Sequence, residues 1–301
     1  MRTPYPGGYH GDSFQGGEPY QPYGQPGEYT MPPHPMSNPA ANGWGHTIGT
    51  GKLRAGHAIS WGFKAIAANP GPLLAIGLVM AVLREIAVLP WVGPLAGIGS
   101  FLIVPVIFSV ALQQTLTARF QYVRATAYGK TLGMLGLFIV ISIGIMLLLM
   151  FVAMLFAFLG MDLSLFLTNP DAAADDPSIL RGLVILVVSF LVMSLLVVPF
   201  FVFPAYFAAD DNGNFGQALG GGIGAAARNY LPTLAIAVFI IGLGIIAQTP
   251  AFLASQGTLN SLLGTFLTIV LSLFLTPYCY LVGAHAYRQV SGGPVPHQAP
   301  V

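Results

Sequence analysis

Long apolar stretches, almost free of charged residues, restrict the possible folds of this chain more than any other feature. Each is about as long as the ~20-residue helix that crosses a hydrocarbon core of about 30 Å. Charged residues make up 7% of the 301 residues, against about 25% in a typical soluble domain. Because lipid offers no hydrogen bonds to the backbone, we expect an all-α polytopic membrane helix bundle.

The apolar pattern predicts about six transmembrane helices. Their approximate bounds are 72–89, 95–118, 131–159, 180–208, 232–248 and 259–286. The first span is short and contains Arg84 and Glu85, a charged pair whose members are adjacent in sequence and do not face one another. Intramembrane charges are costly and often functional, but an arginine near a helix end can also extend to the headgroups. Both interpretations fit Arg84.

The basic residues cluster on one side of such a six-span arrangement. They flank the first, third and fifth spans or follow the sixth: Lys52, Arg54, Lys64, Arg119, Arg124, Lys130, Arg228 and Arg288. The other side carries Arg181 and an acidic loop within 162–176. Cytoplasmic loops hold the excess of Lys and Arg, so we expect a multi-pass protein of the cell membrane with both termini in the cytoplasm.

The two ends of the chain differ in composition from its middle. Residues 1–48 are rich in Pro, Gly, Tyr and Gln and have few aliphatic side chains. Such a segment buries too little apolar area to offset its ordering entropy. We therefore predict a disordered cytoplasmic tail over 1–48, a six-span membrane domain over 49–290 and a disordered C-terminal tail over 291–301.

An internal repeat links the first and fifth spans at an offset of 160 residues. Residues 58–76 and 218–236 share Ala, Gly, Ala, Ala, Asn, Pro, Leu, Ala and Ile at matching positions. In each copy a helix of about four turns would end at an asparagine, Asn69 or Asn229. The asparagine would adopt the left-handed conformation that ends many helices. A proline would then begin the span that follows. We predict interfacial helices before spans one and five, and three parallel hairpins, the middle one introduced by 119–130.

The first predicted interfacial helix has an amphipathic pattern. Arg54, His57, Trp61 and Lys64 follow one another at steps of three, four and three residues, so they share one stripe. Lys and Arg suit anionic headgroups, and Trp suits the membrane interface. We predict that Arg54, Trp61 and Lys64 contact membrane lipids.

The second interfacial helix begins with patterns that resemble ligand motifs. Residues 210–221 start with the oxygen spacing of a calcium loop, but they lack its central glycine and its final glutamate. Residues 220–225 resemble a dinucleotide fingerprint, but they follow a membrane span and not a strand. Asn214 and Gln217 instead predict a capping box that begins a helix.

Three glycines of this helix are spaced by four residues and therefore lie on one face: Gly216, Gly220 and Gly224. Each glycine costs a helix roughly 1 kcal/mol relative to alanine, so their presence needs a reason. Small residues at this spacing let helices pack backbone to backbone. We predict that this face packs on a neighbouring helix or on a partner subunit.

The remaining residues form no recognisable catalytic or metal-binding pattern in the sequence. Cys279 is the single cysteine, the histidines lack metal-ligand spacing, and His285 is interpreted as a hydrogen-bonded side chain. We find no Ser/His/Asp set, no carboxylate pair on one span and no phosphate loop. The sequence therefore predicts no enzyme activity, no catalytic or metal-binding residues, no cofactor and no nucleic-acid partner.

The proline-bearing end of span four, the turn 210–214, the helix start at 217–219 and Arg228-Asn229 together resemble a group of bacterial six-helix membrane families of unknown function. These include the membrane domain that accompanies some glycerophosphodiester phosphodiesterases. The resemblance covers about residues 55–288. The N-terminal tail is similar in composition to those of actinobacterial membrane proteins. The chain carries no attached phosphodiesterase domain, so the resemblance implies a bacterial membrane protein and no enzymatic activity.

These features favour a non-catalytic membrane scaffold or accessory subunit, linked to envelope or lipid-related machinery and held to a protein partner or a second copy through small-residue helix faces. The alternative is a small transporter or lipid-handling channel that uses the hairpin interfaces. A polar cavity would favour the transporter, whereas a dry core with an exposed glycine face would favour the scaffold.

Overall fold

The computed structural model describes residues 43–120, 127–160, 184, 187–188 and 193–298. Its helices are α1 (Ala55–Ala68), α2 (Pro70–Ile86), α3 (Gly93–Leu116), α4 (Tyr128–Gly160), α5 (Pro199–Val202), α6 (Pro204–Ala209), α7 (Phe215–Arg228), α8 (Tyr230–Ser255) and α9 (Ser261–Ser291). Two short strands, β1 (Trp44–Ile48) and β2 (Pro294–Gln298), pair antiparallel. The predicted all-α helical bundle is confirmed.

Four helices are long and apolar enough to cross a membrane. They are α3, α8, α9 and the part of α4 from Tyr128 to Leu148. The pair α1 and α2, which meet at an angle of 104°, gives a fifth if it is counted as one span. The fourth predicted span, 180–208, lies partly outside the described residues, as do the acidic loop and the segment 121–126.

The spans follow one another in a cyclic order. We call α2 with α3 the first hairpin, α4 with α5 and α6 the second, and α8 with α9 the third. The later helices of the three hairpins, α3, α6 and α9, are the second-span helices, and α1 and α7 are the entry helices. The second half of the first hairpin, α3, packs on α4, and α5 of the second hairpin packs on α8. The ring closes because α9 packs on α1 and α2. Each hairpin therefore contacts the beginning of the next one, and the last contacts the first.

Helices are present at both places where the repeat predicts them, and their buried faces coincide. In α1 the buried residues are Ala58, Trp61, Gly62 and Ala65. In α7 they are Ala218, Gly222, Ala225 and Ala226. Ala58, Gly62 and Ala65 match Ala218, Gly222 and Ala225 at the offset of 160, so the residues that the copies share include those that pack.

The shared glycine allows each of these helices to approach a second-span helix closely. A Cβ added at Gly62 would lie 2.8 Å from the ring of Tyr278 on α9, and one at Gly222 would lie 2.5 Å from the backbone of Pro204 on α6. By contrast, a Cβ at Gly220 would meet no atom within 4 Å, and Gly216 has only Asn214 nearby. Among the described residues no helix packs on Gly216 or Gly220, so the prediction that this face packs on a neighbouring helix or on a partner subunit stays a prediction for Gly216, Gly220 and Gly224.

The ends of α1 and α7 lie at the predicted residues, but their backbone conformation differs from the predicted one. Asn214 and Gln217 form the predicted capping box, with N–H···O distances of 2.8 and 2.9 Å. Asn69 and Asn229 end α1 and α7 as predicted. Their φ angles are −137° and −122°, so the predicted left-handed conformation is wrong. Both asparagines instead form hydrogen bonds through their side chains, as described below.

The boundaries of the predicted disordered tails also need correction. Residues 44–48 and 294–298 were assigned to those tails, yet they form the two paired strands, with Trp44 opposite Gln298 and Ile48 opposite Pro294. Within the two predicted tails, residues 1–42 and 299–301 lie outside the described residues. The two ends of the membrane domain are thus joined to each other directly.

A pair of glycine substitutions tests which face of α7 packs. In Gly222→Ala the added methyl group would collide with the backbone of Pro204, and overpacking of this kind typically costs about 1–3 kcal/mol. Gly220→Ala meets open space and gains up to about 1 kcal/mol of helix propensity. Thermal unfolding in detergent should place the Gly222→Ala midpoint below wild type and the Gly220→Ala midpoint at or above it. The reverse order would contradict this packing.

Candidate functional site

The polar side chains of the described residues concentrate at one end of the bundle, which we call the base. The base comprises the two strands, α1, α7 and the last turns of α9. All ten residues from 281 to 290 on α9 are buried. Farther from the base, large apolar side chains of α9 such as Phe266 and Phe274 are exposed, as expected of a helix that faces lipid.

A buried ion pair lies where the three second-span helices converge. Arg288 on α9 is 1% exposed. Its Nη1 donates to Oδ2 of Asp210 at 2.8 Å, and its Nε donates to Oγ1 of Thr115 at 2.9 Å. The hydroxyl of Tyr287 donates to the same Asp210 oxygen at 2.7 Å. One guanidinium therefore joins α9 to the end of α3 and to the end of α6.

A layer of aromatic rings lies next to this ion pair. The ring of Phe108 on α3 is 4.6 Å from that of Tyr206 on α6 and 5.1 Å from that of Tyr280 on α9. The Tyr206 hydroxyl donates to the Tyr280 carbonyl at 2.9 Å. Each of the three second-span helices thus contributes one ring, and the rings fill the space between these helices.

His285 is held as a neutral side chain within the base. The Oε1 atom of Gln289 accepts from the amide of Arg54 at 2.6 Å, which leaves its Nε2 to donate to Nδ1 of His285 at 3.0 Å. The other ring nitrogen of His285 is therefore the one that carries hydrogen, and it lies 3.1 Å from the Pro296 carbonyl. The prediction that His285 is a hydrogen-bonded residue is confirmed.

Trp61 packs inside the base and does not face lipid. It is 3% exposed, its ring stacks on His285 at 5.0 Å, and the ring of Trp44 lies 5.8 Å away. The prediction of a lipid-facing Trp61 is therefore wrong. Arg54 and Lys64, its predicted companions, are exposed. The predicted stripe has the right period, but α9 and β1 cover part of it.

The two repeated asparagines make the same kind of bond to different partners. Asn229 accepts from the amide of Leu53 at 2.9 Å and donates to the carbonyl of Gly51 at 3.0 Å. It thereby fixes the segment that leads into α1. The side chain thus satisfies one backbone N–H and one backbone C=O of a segment that lies outside the helices and strands.

Asn69 repeats this arrangement on the segment that leads into the second hairpin. It accepts from the amide of Phe120 at 3.1 Å and donates to the carbonyl of Ala118 and to Oε1 of Gln114. The corresponding segment before α7 is held by Lys130, whose ammonium group donates to Asp211 and to the carbonyl of Gly213. We call these three contacts the segment clamps.

Other predicted or possible site residues lie elsewhere. Arg84 is exposed and Glu85 is partly buried near the end of α2, and neither belongs to the base network. A cleft of about 200 Å³ between α2 and α3 is lined by the apolar residues Ala75, Ile76, Val79 and Ile103. Within the described ranges, no group of three His, Cys, Asp or Glu residues is placed to hold a metal ion.

The sequence analysis missed the ion pair because its members are 78 residues apart and were interpreted separately. Asp210 was considered only as part of a calcium-like loop, and Arg288 only as a positive residue that sets orientation. The available signal was that both directly follow a span that carries a proline.

Compared with protein-family models, curated proteins and solved structures, the chain matches none of them.

Two carboxylate substitutions separate the buried ion pair from an exposed one. Asp210→Asn leaves the guanidinium of Arg288 buried without a counter-charge, and breaking such a pair typically costs about 3–5 kcal/mol. Asp211→Asn removes the partner of Lys130, a pair in which the Asp211 side chain is 58% exposed, so the loss should stay below about 1 kcal/mol. Denaturant or thermal unfolding in detergent would measure both. Equal losses would contradict the assigned role of Arg288.

Two substitutions of Asn229 test the segment clamp that this residue forms. Asn229→Ala removes both bonds to the segment before α1 and leaves buried backbone groups unpaired, at a cost of about 1–3 kcal/mol. Asn229→Asp keeps the acceptor for the Leu53 amide but loses the donor to Gly51. Hydrogen exchange of residues 49–54 should therefore accelerate in both variants. A wild-type exchange rate in Asn229→Ala would show that this clamp does not hold the segment.

Proposed function

We propose that this protein is a non-catalytic scaffold or accessory subunit of a membrane assembly. The observation that carries the proposal is the contrast between the two faces of α7. The face with Ala218, Gly222 and Ala225 is buried within the chain, whereas Gly216 and Gly220 are exposed; a Cβ at Gly220 meets no described atom within 4 Å and one at Gly216 meets only Asn214. Exposed glycines reduce helix stability without a packing gain among the described residues, so a partner outside the chain would account for them.

The interior of the bundle supports the same proposal. The ring layer of Phe108, Tyr206 and Tyr280 fills the space between the three second-span helices, and the ion pair of Arg288 and Asp210 lies beside it. Interiors that are filled by side chains are rigid, which suits a fixed platform. The alternative, a small transporter or lipid-handling channel, would require these contacts to open during transport.

The proposal also includes a location, an orientation and a type of partner. We propose a bacterial cell-membrane location with both termini in the cytoplasm, which would place the base on the cytoplasmic side. Exposed Arg54 and Lys64 would then contact anionic headgroups. The partner would be a protein or a second copy of this chain that packs on Gly216 and Gly220. A link to envelope or lipid-related machinery follows from the resemblance to the bacterial six-helix families.

Substitution of Gly220 by leucine tests the proposal without disturbing the fold. We expect Gly220→Leu to unfold at the wild-type temperature, because no atom of the described residues lies within 4 Å of its Cβ position. We also expect it to lose its co-purifying partner in a mild-detergent pull-down with lipid analysis. Gly97→Leu is the control, since Gly97 is an exposed span glycine with equally open surroundings. It should retain the partner.

Three other results would decide against the scaffold. If Gly220→Leu retains the same protein partner as Gly97→Leu, the glycine face is not the contact. If wild-type protein is monomeric and carries no stoichiometric protein, the scaffold proposal fails. If it instead carries a defined lipid, and substitution of Arg84 releases that lipid, the lipid-handling alternative is favoured.

A further inference from the structure

Helix α9 buries two hydroxyl groups that have no hydrogen-bond partner among the described residues. They belong to Thr268 and Ser272 of α9, which are 1% and 2% exposed. Gly264, Thr268 and Ser272 follow one another at steps of four residues, so they occupy the same face of α9. Gly264 packs on α8, and this spacing therefore places both hydroxyls in the seam between α8 and α9. A buried hydroxyl without a partner destabilises a protein, and the penalty is greatest where no bulk water is available.

Comparable hydroxyls in this protein are satisfied within their own helices. Five of them donate to the carbonyl four residues earlier at 2.7 to 3.0 Å, and they belong to Ser100, Ser109, Thr131, Thr233 and Thr249. The same bond is open to serine and threonine in any helix. Thr268 and Ser272 do not make it, so their hydroxyls are available to a different partner.

The opposite wall of the seam offers an additional acceptor. A Cβ at Gly264 would lie 2.6 Å from Cβ of Ala254 and 2.9 Å from the carbonyl oxygen of Pro250. These contacts place the Pro250 face of α8 against α9. Pro250 has no amide hydrogen, so the carbonyl of Ile246, four residues earlier, lacks its helical donor. In an antiparallel pair this carbonyl lies one turn farther along the seam, at the level of Thr268.

One small molecule fits this set of groups. Side chains one turn apart on a helix have Cβ atoms about 5–6 Å apart, a gap that a single bridging molecule spans with two hydrogen bonds of about 2.8 Å. The two hydroxyls can donate or accept, and the carbonyl accepts. No charged group is required, so the set suits a neutral molecule. A buried water typically makes two to four such bonds.

We propose that the α8–α9 seam holds an ordered water molecule, bound by the hydroxyls of Thr268 and Ser272 and by the carbonyl of Ile246. The water satisfies three polar groups within the apolar part of the bundle. It also links α9 to the place where Pro250 interrupts the hydrogen bonding of α8. This site is independent of the proposed scaffold function, because it concerns neither the base nor the exposed face of α7.

The sign of a stability change tests the site. Thr268→Val keeps the branched shape of the side chain and replaces the hydroxyl with a methyl group. If the seam holds water, the variant strands that water or the Ile246 carbonyl, and the unfolding temperature should fall by about 2–4 °C or more. If the seam is dry, the variant removes an unsatisfied hydroxyl, and the unfolding temperature should stay unchanged or rise. That second result would overturn the proposal.

Thr131→Val is the matched control, because Thr131 is equally buried but bonds within its own helix. We expect a smaller decrease for it than for Thr268→Val. A direct measurement complements the comparison. A high-resolution density map of the wild-type protein should show a peak within hydrogen-bond distance of both hydroxyls, and Thr268→Val/Ser272→Ala should lose it. Absence of the wild-type peak would also overturn the proposal.

Discussion

The buried charge of Arg288 sets the conditions that the rest of the base must satisfy. A guanidinium that is removed from water is tolerated only when a counter-charge and further acceptors surround it. Here these come from different helices, since Asp210 ends α6 and Thr115 lies near the end of α3. The three second-span helices must therefore end close together, at matching depths. The aromatic layer of Phe108, Tyr206 and Tyr280 then fills the space that this convergence leaves between them.

The cyclic order of the hairpins follows from the same convergence. Once the second-span helices meet at the centre, each entry helix has to pack on the outside of a neighbour, and only a small residue allows the required approach. Gly62 and Gly222 meet this requirement at equivalent positions. The segment clamps then connect each hairpin to the next one. Asn69 and Asn229 use identical chemistry, whereas Lys130 replaces an amide with an ammonium group at the third joint.

The membrane class and the repeat could be predicted from sequence because both depend on local pattern. Which face of a helix packs could not be predicted from one copy, because α7 has small residues on two faces. Comparison of the copies contained the answer: Gly62 is retained as Gly222, while the counterpart of Gly220 is Ser60. Trp61 was misplaced for a related reason, since periodicity identifies a stripe but not the helix that covers it. The Arg288–Asp210 contact required the tertiary arrangement itself.

Closure of the ring depends on residues from the two ends of the described chain. The amide of Gly49 donates to the carbonyl of Gly293, that of Gly51 donates to the carbonyl of Gln289, and β1 pairs with β2. Contacts between such distant positions are entropically costly to form and gain their free energy only after the intervening helices are in place. Arg288 lies in this last segment, and its counter-charge, Asp210, follows α6. The segment that closes the ring therefore also carries the buried charge, and the ion pair ties the end of the third hairpin to the end of the second.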